Sequence, residues 1–283
     1  MLRKKPSLKK SKTKLNHLRK ILRRYKGVIV ALSGGVDSSL LTLISHEVFG
    51  DRAIAVTAHS PIHPREDLKR SQAIASQIKI KHLIIKSREL SNTSFVSNPV
   101  NRCYICKKMI LRPILMIARQ YGYQVIEASN LDDLKDYRPG RKALKELSIV
   151  SPFIAAGMSK KDIRSLARSY GLSNWNQPSN ACYATRIPYY QKIELKKIQR
   201  IAAAEKFLRK FRIGQVRVRD HESIARIELC EKFMPVVIKK RRPIINMLKK
   251  LGYKYITLDL EGYRTGSLNP EKNRTRYSVI AKR

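Results

Sequence analysis

Acidic residues and cysteines are scarce in this chain of 283 residues. It has 21 Asp and Glu against 60 Lys and Arg, which gives a formal net charge of +39. Such an excess suits nucleic acid or phosphorylated substrates, but the basic residues occur throughout the chain, so charge alone selects neither. Four cysteines are too few for a disulfide scaffold of this length, which indicates a reducing, cytoplasmic location.

Long apolar runs are also missing from the sequence. No run approaches the roughly 18 residues that span a bilayer, so no membrane association is expected. The first 26 residues contain twelve Lys or Arg and no acid. Leu15, Leu18, Ile21 and Leu22 form an apolar stripe at helical spacing, which favours a helix packed beside the first strand over a transit peptide. We therefore expect a flexible basic tail only over residues 1–14.

Segments typical of strands and of amphipathic helices alternate up to about residue 186. This alternation predicts an α/β domain over residues 15–186, with a parallel sheet, helices on both faces and a site at the carboxyl ends of the strands. The pattern then changes to long helices and a strand of alternating character at residues 215–219. We expect a smaller α+β domain over residues 187–283, used for substrate binding or oligomerisation.

A glycine turn separates the first predicted strand, residues 28–32, from a helix that ends near Gly50. The turn and the start of the helix comprise Ser33, Gly34, Gly35, Val36, Asp37, Ser38 and Ser39. Helix N-terminal N–H groups and serine hydroxyls bind anions, and glycines let phosphate approach closely. The segment is neither a Walker loop nor a dinucleotide fingerprint. It resembles the PP-loop of ATP pyrophosphatases, which split ATP into AMP and pyrophosphate. The alternative is an ordinary glycine turn between a strand and a helix.

Three of the four cysteines are candidate metal ligands. Cys103 and Cys106 form a CxxC between basic residues at a loop-to-helix junction, a setting that favours thiolates. Cys182 is the third candidate, whereas Cys230 ends an apolar strand and is expected to be a small core residue. Three thiolates do not complete a structural zinc site. They can hold a 4Fe-4S cluster with one open iron, and a redox or persulfide pair or a structural pair remain alternatives.

Together with three further segments, these motifs resemble the LarE family of ATP-dependent sulfur transferases, from about Leu15 to Asn269. The segments are residues 130–140, 180–189 and 261–267. The resemblance implies an adenine nucleotide alpha hydrolase-like PP-loop domain. It also implies that pyridinium-3,5-biscarboxylic acid mononucleotide is adenylylated and then converted to a thiocarboxylate, in synthesis of the nickel-pincer nucleotide cofactor. A tRNA-thiolating PP-loop enzyme is the alternative, because it would share the cysteine pattern and the charge.

The resemblance also implies roles for individual residues. The PP-loop would bind ATP, with Asp37 near Mg²⁺ and catalytic together with Cys182. The arginines that would hold the substrate's phosphate and carboxylates are Arg186, Arg217, Arg219 and Arg264. Cys103, Cys106 and Cys182 match the family's cluster form, in which the open iron carries sulfide, rather than the form that converts its single cysteine to dehydroalanine. Glu127 is expected to be metal-linked, and Asp132, Asp133 and Asp136 to cap a loop.

The partners expected on this interpretation are a small-molecule nucleotide substrate, a sulfide donor and further copies of the chain in a homo-oligomer. A tRNA partner is not expected, although the positive charge leaves it open.

Overall fold

The computed structural model describes residues 8–134, 139–178, 180–264 and 266–268. The strands are β1 Val28–Ala31, β2 Ala53–His59, β3 Lys81–Lys86, β4 Gln124–Ile126, β5 Val216–His221, β6 Ile224–Leu229 and β7 Tyr255–Leu258. The helices are α1 Leu8–Leu22, α2 Val36–Phe49, α3 Arg65–Ile78, α4 Thr93–Val96, α5 Arg102–Tyr121, α6 Gly140–Glu146, α7 Pro152–Ala155, α8 Lys160–Ser169, α9 Leu195–Arg209, α10 Met234–Lys239 and α11 Arg241–Lys250. None of these helices is long and apolar enough to cross a bilayer.

The chain folds into two compact units. Unit 1 comprises the described residues of Met1–Glu89 and Asn101–Asn180, and unit 2 those of Leu90–Val100 and Ala181–Arg283. The sequence placed the division between residues 186 and 187, whereas in the structure Cys182 and Arg186 belong to unit 2. The physical reason is an ion pair between buried Arg186 and Glu205 of α9. The roles expected for the two domains stay predictions.

Unit 1 is built on a parallel sheet with strand order β3-β2-β1-β4. Val28 and Val30 of β1 belong to one apolar core with α1, α2 and α8, while Ile29 belongs to another with α5 and α6. Because successive side chains of a strand point to opposite faces, helices cover both faces of this sheet. The predicted α/β class, with parallel strands and helices on both sides, is confirmed.

Helix α1 begins at Leu8, seven residues before the expected start. The predicted apolar stripe is buried, and the helix packs against α2, α7 and α8. Ser11 and Lys14 both reach the carboxylate of Asp162 in α8, at 2.9 and 2.7 Å. Part of the range expected as a flexible tail is therefore an anchored helix, and residues 1–7 lie outside the described part of the chain.

Unit 2 contains a second sheet, in which β5 pairs antiparallel with β6 and β6 pairs parallel with β7. Apolar residues of these strands form one core with α9 and α11. Residues 234–250 form two helices, α10 and α11, rather than one. Pro243 lacks the N–H that would bond to the carbonyl of Lys239, so a continuous helix is interrupted there.

The segment Leu90–Val100 is part of unit 2 although its neighbours in sequence are in unit 1. Asn98 is fully buried, and its amide nitrogen donates to the carbonyl oxygens of Pro188 and Gln191 at 2.6 and 2.9 Å. The N–H of Ile193 donates to the carbonyl oxygen of Val96 at 2.9 Å. These bonds join two parts of the chain that are about ninety residues apart in sequence.

Candidate functional site

The PP-loop joins β1 to α2 at the carboxyl edge of the parallel sheet. Gly34 has a φ of 75°, and a Cβ atom built there would lie 2.6 Å from the carbonyl oxygen of Asp67, so only glycine fits. The hydroxyls of Ser38 and Ser39 donate to the carbonyl oxygen of Gly35, at 3.0 and 2.9 Å. Gly35 is the N-cap of α2 and gives that helix no side-chain cap. This start of α2 has the character of an anion site.

Asp37 lies in the first turn of α2 and has one unsatisfied oxygen. Its Oδ2 is 2.5 Å from Nζ of Lys160, whereas Oδ1 is buried with no hydrogen-bond partner among the described residues. Burial raises the pKa of Asp37, although the charge of Lys160 opposes this. Mg²⁺ prefers oxygen ligands, and a carboxylate oxygen left without a donor suits it. The residues present therefore fit a Mg²⁺ ion at Asp37.

Cys103 and Cys106 lie at the start of α5, in unit 1. Residues three apart share a helix face, and here Cys103 is exposed and Cys106 partly exposed. Sγ of Cys106 is 4.0 Å from Oε1 of Glu89. Cys182 is also partly exposed and lies in unit 2, directly before the 3-10 turn Tyr183–Arg186. All three thiols are chemically suited to iron. Within the described residues no three His, Cys, Asp or Glu side chains are grouped as ligands of one metal ion, so the cluster stays a prediction.

Cys230 was expected in the core, and this expectation is wrong. Its side chain is exposed. It follows the last residue of β6 and is the N-cap of the 3-10 turn Glu231–Phe233, where the chain leaves the sheet. An apolar strand before a residue does not fix the burial of the residue that follows it.

Arg186 is fully buried and holds the segment that carries Cys182. Its Nε and Nη2 donate to the two carboxylate oxygens of Glu205, at 2.9 and 3.2 Å. Its Nη1 donates to the carbonyl oxygens of Ala181 and Cys182, at 2.7 and 2.9 Å. These contacts direct its donors to protein atoms. Arg186 therefore holds the backbone of Cys182 in place, and the substrate contact expected for it from the sequence stays a prediction.

Arg217 and Arg219 alternate with apolar residues on β5 and are nearly buried. Arg219 donates to Glu228 at 2.6 Å, while the Arg217 guanidinium lies 5.5 Å from the centre of the Tyr263 ring. Burial and the charge of Arg186 lower the pKa of Arg217 to about 10. A buried cation in such a setting is stabilised by an anion. Arg217 is therefore suited to a phosphate or carboxylate, whereas Arg219 already has the carboxylate of Glu228 and only its Nε lacks a partner among the described residues.

Arg264 has a different setting, because its side chain is 29% exposed and pairs with Glu261. Its Nε is buried without a hydrogen-bond partner in the described part of the chain. Thr265, next to it in the predicted motif, lies outside the described residues.

The acidic segment that follows β4 is closely hydrogen-bonded. Glu127 accepts bonds from the hydroxyls of Ser129 and Ser151, at 2.8 and 2.5 Å. Asp132 accepts from the backbone N–H of Lys160, and Asp133 from that of Asn130, as expected for residues that cap a loop. Asp136, Tyr137 and Arg138 lie outside the described residues, and the metal link expected for Glu127 stays a prediction.

The sequence of this chain is similar to those of several known proteins. Residues 11–108 match the NAD synthase family. An uncharacterised protein of Synechocystis sp. is 38% identical over 260 residues, which are 91% of this chain and 97% of the relative. The pyridinium-3,5-bisthiocarboxylic acid mononucleotide synthase of Lactiplantibacillus plantarum is 33% identical over 262 residues, or 92% of this chain and 95% of that enzyme. The chain belongs to the LarE family. The predicted resemblance is thereby confirmed.

A more distant relative of this LarE protein covers only part of it. The tRNA-specific 2-thiouridylase MnmA of Rickettsia felis is 24% identical over 194 residues, which are 54% of this chain and 52% of that enzyme. The match to the L. plantarum enzyme covers nearly the whole of both chains, so it is the stronger guide to function.

Three residues of the site, Lys160, Asn174 and Glu205, are not part of any motif in the sequence. Nothing in the sequence showed that Lys160, at the start of α8, contacts Asp37. Asn174 lies in a turn without a motif, yet its amide contacts the PP-loop. Glu205 could have been identified from the sequence, because an acid on the apolar face of α9 requires a buried cation nearby.

Proposed function

We propose that this protein is an ATP-dependent sulfur transferase of nickel-pincer nucleotide cofactor synthesis. It adenylylates a carboxylate of pyridinium-3,5-biscarboxylic acid mononucleotide with release of pyrophosphate, and sulfur then replaces AMP to give the thiocarboxylate. The observation that carries this proposal is the 33% identity to the L. plantarum synthase along 92% of the chain. The PP-loop with its unsatisfied Asp37 oxygen supports it independently.

The first step needs charge neutralisation and positioning more than a base. A substrate carboxylate is already nucleophilic toward the α-phosphorus of ATP. The N-terminus of α2 and the loop serines would bind the departing pyrophosphate, and Asp37 would hold Mg²⁺ with its free oxygen. Mg²⁺ supplies positive charge to the phosphate oxygens. Lys160 adds a further positive charge beside Asp37.

The substrate would be held in unit 2 by arginines. Arg217, Arg219 and Arg264 present guanidinium groups whose geometry suits phosphate and carboxylate. Arg186 would act indirectly, since it fixes the backbone of Cys182 through two carbonyl oxygens.

Cys103, Cys106 and Cys182 would hold a 4Fe-4S cluster, whose open iron supplies a bound sulfide for transfer. This part of the proposal is supported by the CxxC spacing, the accessibility of the three thiols and their match to the cluster form of the family. A sulfide donor, a cytoplasmic location and a homo-oligomeric state complete the proposal.

The mass of the reacted polypeptide tests how sulfur is delivered. Thiolates bound to iron are poor candidates for elimination, so we expect unchanged mass and multiple turnovers when sulfide is supplied. Mass spectrometry of the chain after reaction with ATP, Mg²⁺ and the dicarboxylate mononucleotide measures this. Loss of one hydrogen sulfide from the Cys182 peptide in step with product would show instead that the enzyme consumes its own cysteine.

Thiolation of tRNA is the second candidate function. The partial identity to a tRNA 2-thiouridylase and the net charge of +39 favour it. Incubation with ATP, sulfide and either tRNA or the mononucleotide separates the two candidates, because only the true substrate should acquire sulfur.

A further inference from the structure

Asn174, a buried residue outside the PP-loop, donates two hydrogen bonds to that loop. Asn174 follows α8, and only 1% of its surface is exposed. Its amide nitrogen donates to the carbonyl oxygen of Gly34 at 3.0 Å and to Oγ of Ser39 at 2.9 Å. A carbonyl oxygen only accepts hydrogen bonds, so the contact with Gly34 determines which end of the amide faces the loop.

These two contacts control the orientation of consecutive peptide groups. In a trans peptide the C=O and the following N–H point in opposite directions. Since the carbonyl of Gly34 is held toward Asn174, the N–H of Gly35 is turned to the opposite side, where Gly35 is exposed and its N–H has only a long contact of 3.4 Å with Oγ of Ser33. Ser39 accepts from Asn174 and donates to the carbonyl oxygen of Gly35 at 2.9 Å. The N–H of Val36 is therefore turned away from Ser39 by the same rule.

Two adjacent glycines need such a restraint. Neither has a Cβ atom to limit rotation of the peptide between them, and Gly34 already has a positive φ of 75°. If the Gly34–Gly35 peptide flips, it presents an oxygen instead of an N–H to a bound anion. An oxygen in that position repels phosphate.

We propose that Asn174 is a positioning residue that locks the Gly34–Gly35 peptide in the orientation that binds the pyrophosphate part of ATP. This inference rests on the proposed use of ATP by the loop. The Oδ1 atom of Asn174 is buried with no hydrogen-bond partner among the described residues, so within that part of the chain the side chain bonds only to the loop, through its two donations. Asn174→Asp keeps the shape of the side chain and removes both donors.

The test compares the full-length wild-type protein with Asn174→Asp. Calorimetry measures binding of pyrophosphate with Mg²⁺, and AMP formation gives kcat/KM for ATP. We expect both to weaken by on the order of 10- to 100-fold, as for a lost hydrogen bond to a charged group. The deficit in pyrophosphate affinity should shrink as the pH falls, because burial raises the pKa of the new carboxyl and its protonated form can again donate to Gly34.

Two controls separate positioning from general damage. Asn16→Asp makes the same charge change at an exposed position of α1 and should leave both measurements unchanged. Asn174→Ala combined with Ser39→Ala should lose less affinity than the two single effects added together, because both act on one chain of hydrogen bonds. Asn174→Ala also serves if the aspartate variant does not fold.

Three outcomes are decisive. Wild-type protein that binds no pyrophosphate would reject the proposed ATP chemistry itself. Wild-type binding with folded Asn174 variants within about twofold of it would overturn the role of Asn174 alone. A lower midpoint of thermal unfolding with unchanged pyrophosphate affinity would show that Asn174 supports only the fold.

Discussion

The environment of Asp37 disfavours the charge of its carboxylate, because the group is largely buried. Burial raises its pKa. The native state therefore binds a proton more readily than the unfolded chain, and this carboxylate lowers the free energy of unfolding as the pH rises above about 3.9, the pKa of an unperturbed aspartate. A destabilising carboxylate with one unsatisfied oxygen is typical of a functional site.

Asp37→Asn should abolish formation of AMP and pyrophosphate while the protein stays folded. The neutral side chain removes the buried charge, so the midpoint of thermal unfolding at pH 7 should equal or exceed that of the wild type. Chromatography of the nucleotide products measures the first effect and scanning calorimetry the second. Asp51→Asn, at an exposed position, is the matched control. Wild-type rates in Asp37→Asn, or ADP as the sole nucleotide product of the wild type, would contradict the PP-loop chemistry.

Iron content distinguishes the four cysteines. Protein purified without oxygen should contain about four irons per chain, as one 4Fe-4S cluster requires. Changing Cys103, Cys106 or Cys182 to Ser should each remove most of the iron, because three thiolates leave no spare ligand. Cys230→Ser should retain it and is the control for loss of one thiol. If Cys230→Ser loses iron as completely as the others, all four cysteines are ligands.

At the level of elements, one carboxylate, that of Asp162, both caps helix α8 and joins it to helix α1. Asp162 and the N-cap Ser159 form a reciprocal capping box, and Ser11 and Lys14 of α1 also bond to Asp162. Burial of this carboxylate disfavours its charge, but the hydrogen bonds outweigh burial and lower the pKa of Asp162 to about 2.

Asp162→Ala should lower the free energy of unfolding by about 2 kcal/mol at pH 7, as expected for a lost cap with further hydrogen bonds. The native pKa lies below the unfolded value near 3.9, so this stabilisation is complete above about pH 5 and is lost as the pH falls toward 2. Urea unfolding at pH 7 and pH 3 measures the change. Glu66→Ala, an exposed acid in the first turn of α3, is the control. A difference of the same size at both pH values would contradict this assignment.

The elements that local signals specify could be predicted from the sequence. The β-branched run of β1, the glycine at the end of α2 and the N-cap of α8 are all readable within a few residues. The start of α1 at Leu8 could not be predicted, because it depends on Asp162, which is about 150 residues away. Membership of Cys182 in unit 2 likewise depends on the buried Arg186–Glu205 pair. The PP-loop segment lies between β1 and α2 as the sequence predicts, and its binding role stays a prediction, whereas the contacts of Lys160 and Asn174 with it required the tertiary structure.

For the whole molecule, the net charge of +39 makes binding to polyanions a property to test directly. If the proposed function is correct, tRNA should bind weakly, with a Kd above about 1 µM near 0.15 M salt, in the range of non-specific binding. Fluorescence anisotropy with labelled tRNA across a salt series measures this, and heparin is a control for charge alone. Affinity for tRNA that is tighter than this and exceeds the affinity for heparin would favour the tRNA-thiolating alternative.

The segment Leu90–Val100 has a consequence for how the chain is made. A ribosome finishes this segment about 80 residues before it reaches Ala181, where the rest of unit 2 begins, which at about 5–20 residues per second is a wait of several seconds. During that wait the side chain of Asn98, which is buried in the finished protein, lacks the carbonyl oxygens of Pro188 and Gln191 to which it donates. A nascent chain that stalls before residue 181 therefore leaves Leu90–Val100 without the segment to which it bonds, and we expect chaperones and proteases to reach it.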